Sequence, residues 1–195
     1  MSSPPARSLT VFGGSFDPPH VCHLLACTWI LATHPTTEVL VLPAAEHPLG
    51  KEITSFPHRF AMCKAAFAVC GPRVEVSDLE ARRPGPSYTI DTLRILSTLH
   101  PERPLILAVG SDVLARQTEW KDFPAILKLA TLLVLPRGAG ETPFFLPDLS
   151  STLIRNRLRS GDSLSDLVPA EVLAYLTVHH LYAEASGGGG VGDSR

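Results

Sequence analysis

Two histidines, His20 and His23, stand three residues apart in the stretch GGSFDPPHVCHLL, residues 13–25. Gly13 and Gly14 stop an apolar run just before them, which lets the backbone turn sharply and a ligand come close. Pro18 and Pro19 fix φ ahead of the pair. If a helix begins here, residues three apart share a face, so both imidazoles can reach one ligand. That ligand also meets the free N–H groups and the positive dipole end of the helix. The arrangement suits a polyphosphate, because ring N–H groups can donate to oxygens whose charge grows during transfer. A zinc site from His20, Cys22, His23 and Cys27 is the rival. Cys22 falls off the shared face, and no second ligand cluster completes a tetrahedron.

Other residues could serve the same ligand. The run SSTLIRNRL, residues 150–158, offers hydroxyls and N–H groups at a helix start, with Arg155 one turn in. Fixed donors plus a forked guanidinium make an anion grip from Ser151, Thr152 and Arg155. The plain alternative is a capped surface helix. Gly110 and Asp112 follow an apolar run, where a carboxylate can accept from ribose hydroxyls or cap a helix. Trp120 can stack on a flat cationic ring or simply pack. Thr89 opens a helical stretch, and Lys51 sits in a polar loop where a lysine can neutralise a phosphate or stay solvated.

These residues need elements to hold them. Short apolar runs read as buried strands at residues 8–14, 38–43, 73–77, 104–110 and 131–137. Helical spacing falls at residues 23–34, 57–69, 88–100, 122–130, 150–161 and 169–180. The alternation predicts an α/β fold, a doubly wound, mostly parallel sheet with helices on both faces. Ligands of such sheets sit beyond the carboxyl ends of the strands, where strand order reverses. The segments Gly13–His23, Pro43–Lys51 and Gly110–Trp120 all fall at strand ends.

The chain's 195 residues suit one domain, expected over residues 8–183, with polar or glycine-rich tails at 1–7 and 184–195. A formal charge of −2 gives no electrostatic case for nucleic acid or a membrane surface, so an anionic ligand must be held locally. No apolar run approaches the ~20 residues that span a bilayer. Four cysteines without a CxxC pair, and no apolar leader, point to a cytoplasmic setting. Homo-oligomerisation stays open.

The first motif resembles the GGTFDPxHxGH signature of HxGH-class nucleotidyltransferases, whose fold is Rossmann-like. PSYTIDTL (residues 86–93), GSD (110–112) followed by Trp120, and SSTLIRNRL resemble, in the same order, bacterial nicotinate mononucleotide adenylyltransferases. The likeness runs from Leu9 to Tyr182. It implies adenylyl transfer from ATP to nicotinate mononucleotide, giving deamido-NAD and pyrophosphate, with Mg²⁺ accompanying ATP and no protein-held metal. It implies catalytic roles for His20, His23 and Arg155. It implies ATP contacts at Gly13, Gly14, Ser15, Phe16, His20, His23, Gly110, Asp112, Ser151, Thr152 and Arg155. Lys51, Thr89 and Trp120 would take the pyridine mononucleotide. Arg59 has a family counterpart and reads as structural or peripheral. Two departures stand out. Cys22 replaces a glycine, which implies tighter access for the triphosphate, and the loop AEHPLGK differs from the usual PPH type. The alternatives are nicotinamide mononucleotide or another phosphorylated acceptor, or a binding module without catalysis.

Overall fold

The computed structural model describes residues 7–135 and 146–182. Five strands form one sheet: β1 (Ser8–Gly14), β2 (Thr37–Pro43), β3 (Val74–Val76), β4 (Leu105–Gly110) and β5 (Ala130–Leu135). Their order is β3-β2-β1-β4-β5, and every neighbouring pair among the described residues is parallel, as the expected mostly parallel sheet requires. The chain moves outward from β1 to β3, then crosses to β4 on the other side of β1. Strand order therefore reverses between β1 and β4, where Phe12 lies opposite Ala108. The glycine ends of both strands, Gly13–Gly14 and Gly110, flank that crevice.

Seven helices accompany the sheet in the described residues: α1 (Val21–Thr33), α2 (Phe56–Phe67), α3 (Thr89–Leu99), α4 (Ser111–Leu114), α5 (Phe123–Leu129), α6 (Ser151–Ser160) and α7 (Ala170–Val178). Side chains alternate across each strand, so the sheet carries two cores. On one face Phe12, Val39, Val41 and Ala108 meet α1, α2, α6 and α7 through Ile30, Met62, Ile154 and Val172. On the other, Val11, Leu40, Leu107 and Val109 meet α3 and α5 through Leu93 and Ile126. Each fully buried aliphatic side chain contributes about 1.5–3 kcal/mol. Thr10 faces inward at the β1–β2 seam, fully buried, and its hydroxyl shares a 2.7 Å hydrogen bond with Thr37.

Helix ends follow local chemistry. Ser150 caps α6 by accepting from the Leu153 N–H at 3.2 Å, and Gly161 ends it at φ +75°. Pro57 sits in the first turn of α2, as its fixed φ favours. Helix α1 begins two residues earlier than its apolar pattern suggests, because His20 itself caps it. The four-residue α4 had no periodicity to announce it. The expected strand beyond Leu135 and most of the two tails lie outside the described residues.

Candidate active site

The β1–α1 loop packs inward. Gly13 is exposed, and a Cβ built there meets nothing within 4 Å. A Cβ on Gly14 would come within 3.1 Å of the Phe16 ring. Phe16 takes φ +48°, a left-handed conformation rare for a bulky residue and costing on the order of 1–3 kcal/mol. Burial of its ring offsets that cost. Phe16 is 1% exposed and meets Phe12 and Phe67 edge-on at 5.6 and 5.9 Å.

That ring supports the histidines. Phe16 lies 4.8 Å from the His23 ring, and the His20 and His23 rings lie 3.8 Å apart at 32°. His20 is buried at the N-cap of α1, and His23 is half-buried at the third helical position. The His20 backbone N–H donates to His23 Nδ1 at 3.1 Å. A neutral imidazole whose Nδ1 accepts carries its proton on Nε2. The helix cap thus sets the His23 tautomer and leaves Nε2–H as the donating end.

Helix α6 is fastened to the same loop. The Ser151 hydroxyl donates to the Pro18 carbonyl at 2.9 Å. Arg155 donates to the Asp17 carbonyl at 2.5 Å, to its carboxylate at 3.4 Å, and to the Thr152 hydroxyl at 3.3 Å. Asp17, 3% exposed, also accepts from the Thr54 N–H at 3.3 Å and the Tyr182 hydroxyl at 2.5 Å. Burial and this bond to Asp17 push the Tyr182 phenol well above its ordinary range. Arg59 completes the frame. Fully buried, it donates to the carbonyls of Thr54, Ser15 and Ala45 at 2.6, 2.8 and 3.1 Å. Burial lowers its pKa, with the Asp17 carboxylate opposing that shift.

Gly14, Ser15, Phe16, His20, His23, Ser151, Thr152 and Arg155 are therefore one connected body. Gly110 joins it across the β1–β4 crevice, capping α4, and Asp112 lies exposed in the first turn of that helix. Lys51, Thr89 and Trp120 lie on separate segments, which follow β2, β3 and β4 in the chain. Lys51 is exposed, and its charge, with those of Arg116 and Arg59, adds to burial in lowering the His47 pKa. Thr89 begins α3 after Tyr88, whose ring lies 4.5 Å from Lys121 Nζ, and Trp120 packs edge-on to Phe123 at 5.8 Å. The chain neighbours of Thr89 and Trp120 are thus in contact.

Cys22 does not crowd the loop. It is 2% exposed in the core beneath α1, and its thiol donates to the Pro147 carbonyl at 3.6 Å. Its side chain faces the segment leading into α6, so the expected tighter access does not arise from it. Sequence reasoning missed Asp17 and Tyr182; of the two readings it left for Arg59, structural or peripheral, the structure supports the structural one. The signal for Asp17 was present: an acid between an aromatic residue and two prolines inside a motif otherwise apolar or imidazole.

A parallel sheet with two histidine rings 3.8 Å apart at the switch point and a helix start docked beside them is an arrangement suited to phosphate groups, as the nucleotidyltransferase signature leads one to expect. The model of the cytidylyltransferase-like family matches residues 11–157. A relative from Myxococcus xanthus, named a probable nicotinate-nucleotide adenylyltransferase, is 42% identical over 91% of this chain and 96% of its own. One of the same name from Thermus thermophilus is 37% identical over 88% and 97%. The chain belongs to the nicotinate-nucleotide adenylyltransferases of the cytidylyltransferase-like family. A Plasmodium falciparum nicotinic acid mononucleotide adenylyltransferase, solved with NaAD, shares the fold at 20% identity. Its TM-score is 0.76, over 90% of this chain and 97% of that one. Among the described residues, no helix is long and apolar enough to cross a membrane.

Proposed function

We propose that this enzyme transfers the adenylyl group of ATP to nicotinate mononucleotide, releasing pyrophosphate and forming the deamido dinucleotide. The observation that carries the reading is the His20–His23 pair, its rings 3.8 Å apart and tilted by 32°, with its donating edge fixed by the helix cap. The relatives' shared name supports the acceptor.

The acceptor phosphate is already ionised and nucleophilic at neutral pH, so no general base is required. It attacks the α-phosphorus in line with the departing pyrophosphate. Catalysis then rests on position and charge stabilisation. His23 donates Nε2–H to a phosphate oxygen, and His20 packs against it to hold the ring plane. The five N–H groups of Arg155 outnumber its three protein acceptors, so it can grip pyrophosphate while still pinned to Asp17. Thr152, exposed at the α6 start, and the adjoining backbone N–H groups extend that grip. Open space at Gly13 admits the triphosphate, and Asp112 accepts from the ribose. Lys51 meets the mononucleotide phosphate beside a neutral His47. Trp120 stacks on the pyridine, and Thr89 reads its carboxylate.

Mg²⁺ brought with ATP would supply further charge neutralisation for the pyrophosphate that Ser151, Thr152 and Arg155 are proposed to hold. Four free thiols support a reducing, cytoplasmic setting.

The test is pyrophosphate release with Mg·ATP, comparing nicotinate with nicotinamide mononucleotide. A strong preference for the acid supports the reading. Equal rates make the enzyme dual-specific. No release with either acceptor overturns it.

A further inference from the structure

The loop that carries Lys51 and the helix start that carries Thr89 come from different parts of the chain, and one buried side chain joins them. Ser87, two residues before Thr89, is 6% exposed. Its hydroxyl accepts from the Ala45 N–H at 2.9 Å and from the Glu46 N–H at 3.4 Å. Its backbone N–H donates to the Glu46 carbonyl at 3.1 Å. Other bonds of this stretch reach the opposite way. The Ala44 N–H donates to the Gly14 carbonyl at 2.9 Å, and the Ala45 carbonyl accepts from Arg59 at 3.1 Å. The same guanidinium donates to the Ser15 carbonyl at 2.8 Å. Residues 44–46 therefore span from the histidine loop to the segment that leads into α3.

We propose that Ser87 is a positioning residue for the acceptor: its hydroxyl fixes the Lys51 loop in register with the α3 start. This role rests on the acceptor contacts proposed above for Lys51 and Thr89. The backbone bond from Ser87 to Glu46 would by itself act as a hinge. The hydroxyl adds contacts to two successive N–H groups, which fixes the angle as well as the distance. Leu49 is 57% exposed, so burial of that side chain does not hold the loop. Helix α3 has anchors of its own. Ile90, Leu93 and Leu96 are buried, and the Thr92 hydroxyl donates to Glu80 at 2.8 Å. Taking away the Ser87 hydroxyl therefore loosens the loop and leaves the helix in place. It also leaves the bonds from Ala44 to Gly14 and from Arg59 to Ser15, which lie on the ATP side. An acceptor held between two segments loses affinity when their register is loose, because binding must then order them at an entropic cost.

The experiment compares Ser87→Ala and Ser87→Cys with the parent. Cysteine keeps the side-chain shape, and its sulfur is a weak acceptor. Pyrophosphate release gives KM for each substrate with the other saturating, and NMR amide exchange follows residues 44–46. In Ser87→Ala, KM for the pyridine mononucleotide should rise about tenfold, the scale of a lost hydrogen bond. KM for Mg·ATP and kcat should stay within about twofold, because acceptor binding is lost and transition-state stabilisation is not. Ser87→Cys should fall between. The Ala45 and Glu46 amides should exchange faster in both variants, with the Ala44 amide unchanged. Equal rises in the two KM values, a fall in kcat with acceptor KM unchanged, or Ala45 exchange at the parent's rate would each overturn the proposal. The comparison uses whichever pyridine mononucleotide the parent turns over. A parent active only on nicotinamide mononucleotide would overturn the choice of acceptor and leave the Ser87 result readable. A parent inactive with both would overturn the proposed reaction and this role together.

Discussion

His23 has two jobs on two nitrogens, and two substitutions separate them. Its Nδ1 accepts the His20 N–H at 3.1 Å, and its Nε2 is the proposed phosphate donor. Asparagine carries its amide oxygen one bond from Cγ, as Nδ1 is. His23→Asn should therefore keep the cap and lose the donor. Glutamine carries its amide nitrogen two bonds from Cγ, as Nε2 is, so His23→Gln should keep a donor and lose the cap. Losing one donor aimed at a transition-state oxygen costs on the order of 10²–10³ in kcat. Replacing a ring donor by an amide donor costs about tenfold or less, the scale of one neutral hydrogen bond. Losing a helix cap costs about 0.5–2 kcal/mol of stability. Both variants lose the ring contacts with Phe16 and His20, so that loss cancels when they are compared with each other. Pyrophosphate release at saturating Mg·ATP and nicotinate mononucleotide should rank wild type, then Gln, then Asn. Urea unfolding should rank Asn above Gln. The reversal of order is the signature. If Asn turns over as fast as Gln, or one variant is worse in both assays, the assignment of Nε2 as the donor is wrong.

Three further outcomes follow from the same frame. Gly13→Ala should leave stability within about 0.5 kcal/mol, since a Cβ there meets nothing within 4 Å. It should raise KM for ATP several-fold, and an unchanged KM would remove Gly13 from the nucleotide path. Arg59→Met strips donors from three part-buried carbonyls and removes a fully buried charge, and should cost about 3–5 kcal/mol. At this chain length that lowers Tm by roughly 6–20 °C; a drop under about 2 °C with full activity would show that Arg59 does not hold the loops together. Burial raises the Glu80 pKa, so the folded state keeps its proton to higher pH than the unfolded chain does. Stability of the parent should fall as pH climbs from about 4.3 through the raised folded value. Glu80→Gln, which can still accept from the Thr92 hydroxyl, should lose less between pH 5 and 8 by urea unfolding. Equal losses in the two proteins would refute the assignment.

The sequence carried the strands and the paired histidines because both leave local marks. Apolar runs ended by glycine or proline located β1, β2 and β4 nearly to the residue. The spacing of His20 and His23 told that they share a face, and the structure stacks them. What it could not carry was how the loops are held. Asp17 gathers Thr54, Arg155 and Tyr182 from positions up to 165 residues away. For Arg59 the residue type leaves structural and peripheral readings side by side, until the carbonyls of Ser15, Ala45 and Thr54 are seen converging on it. These partners are mostly backbone atoms, which every residue possesses, so no residue type announces them.

The same reasoning bears on Cys22. A glycine at that position would matter if the residue faced the open space that Gly13 borders. Position 22 falls between the two histidines, and on a helix the residue between two that share a face turns elsewhere. Here it turns into the core and reaches Pro147, three residues before the Ser150 cap of α6. Helix α6 is thus tied to the histidine loop from two sides, through Cys22 beneath and through Ser151 and Arg155 above. In this chain, the position that breaks the signature helps to seat the helix whose N-terminus the phosphates are proposed to meet.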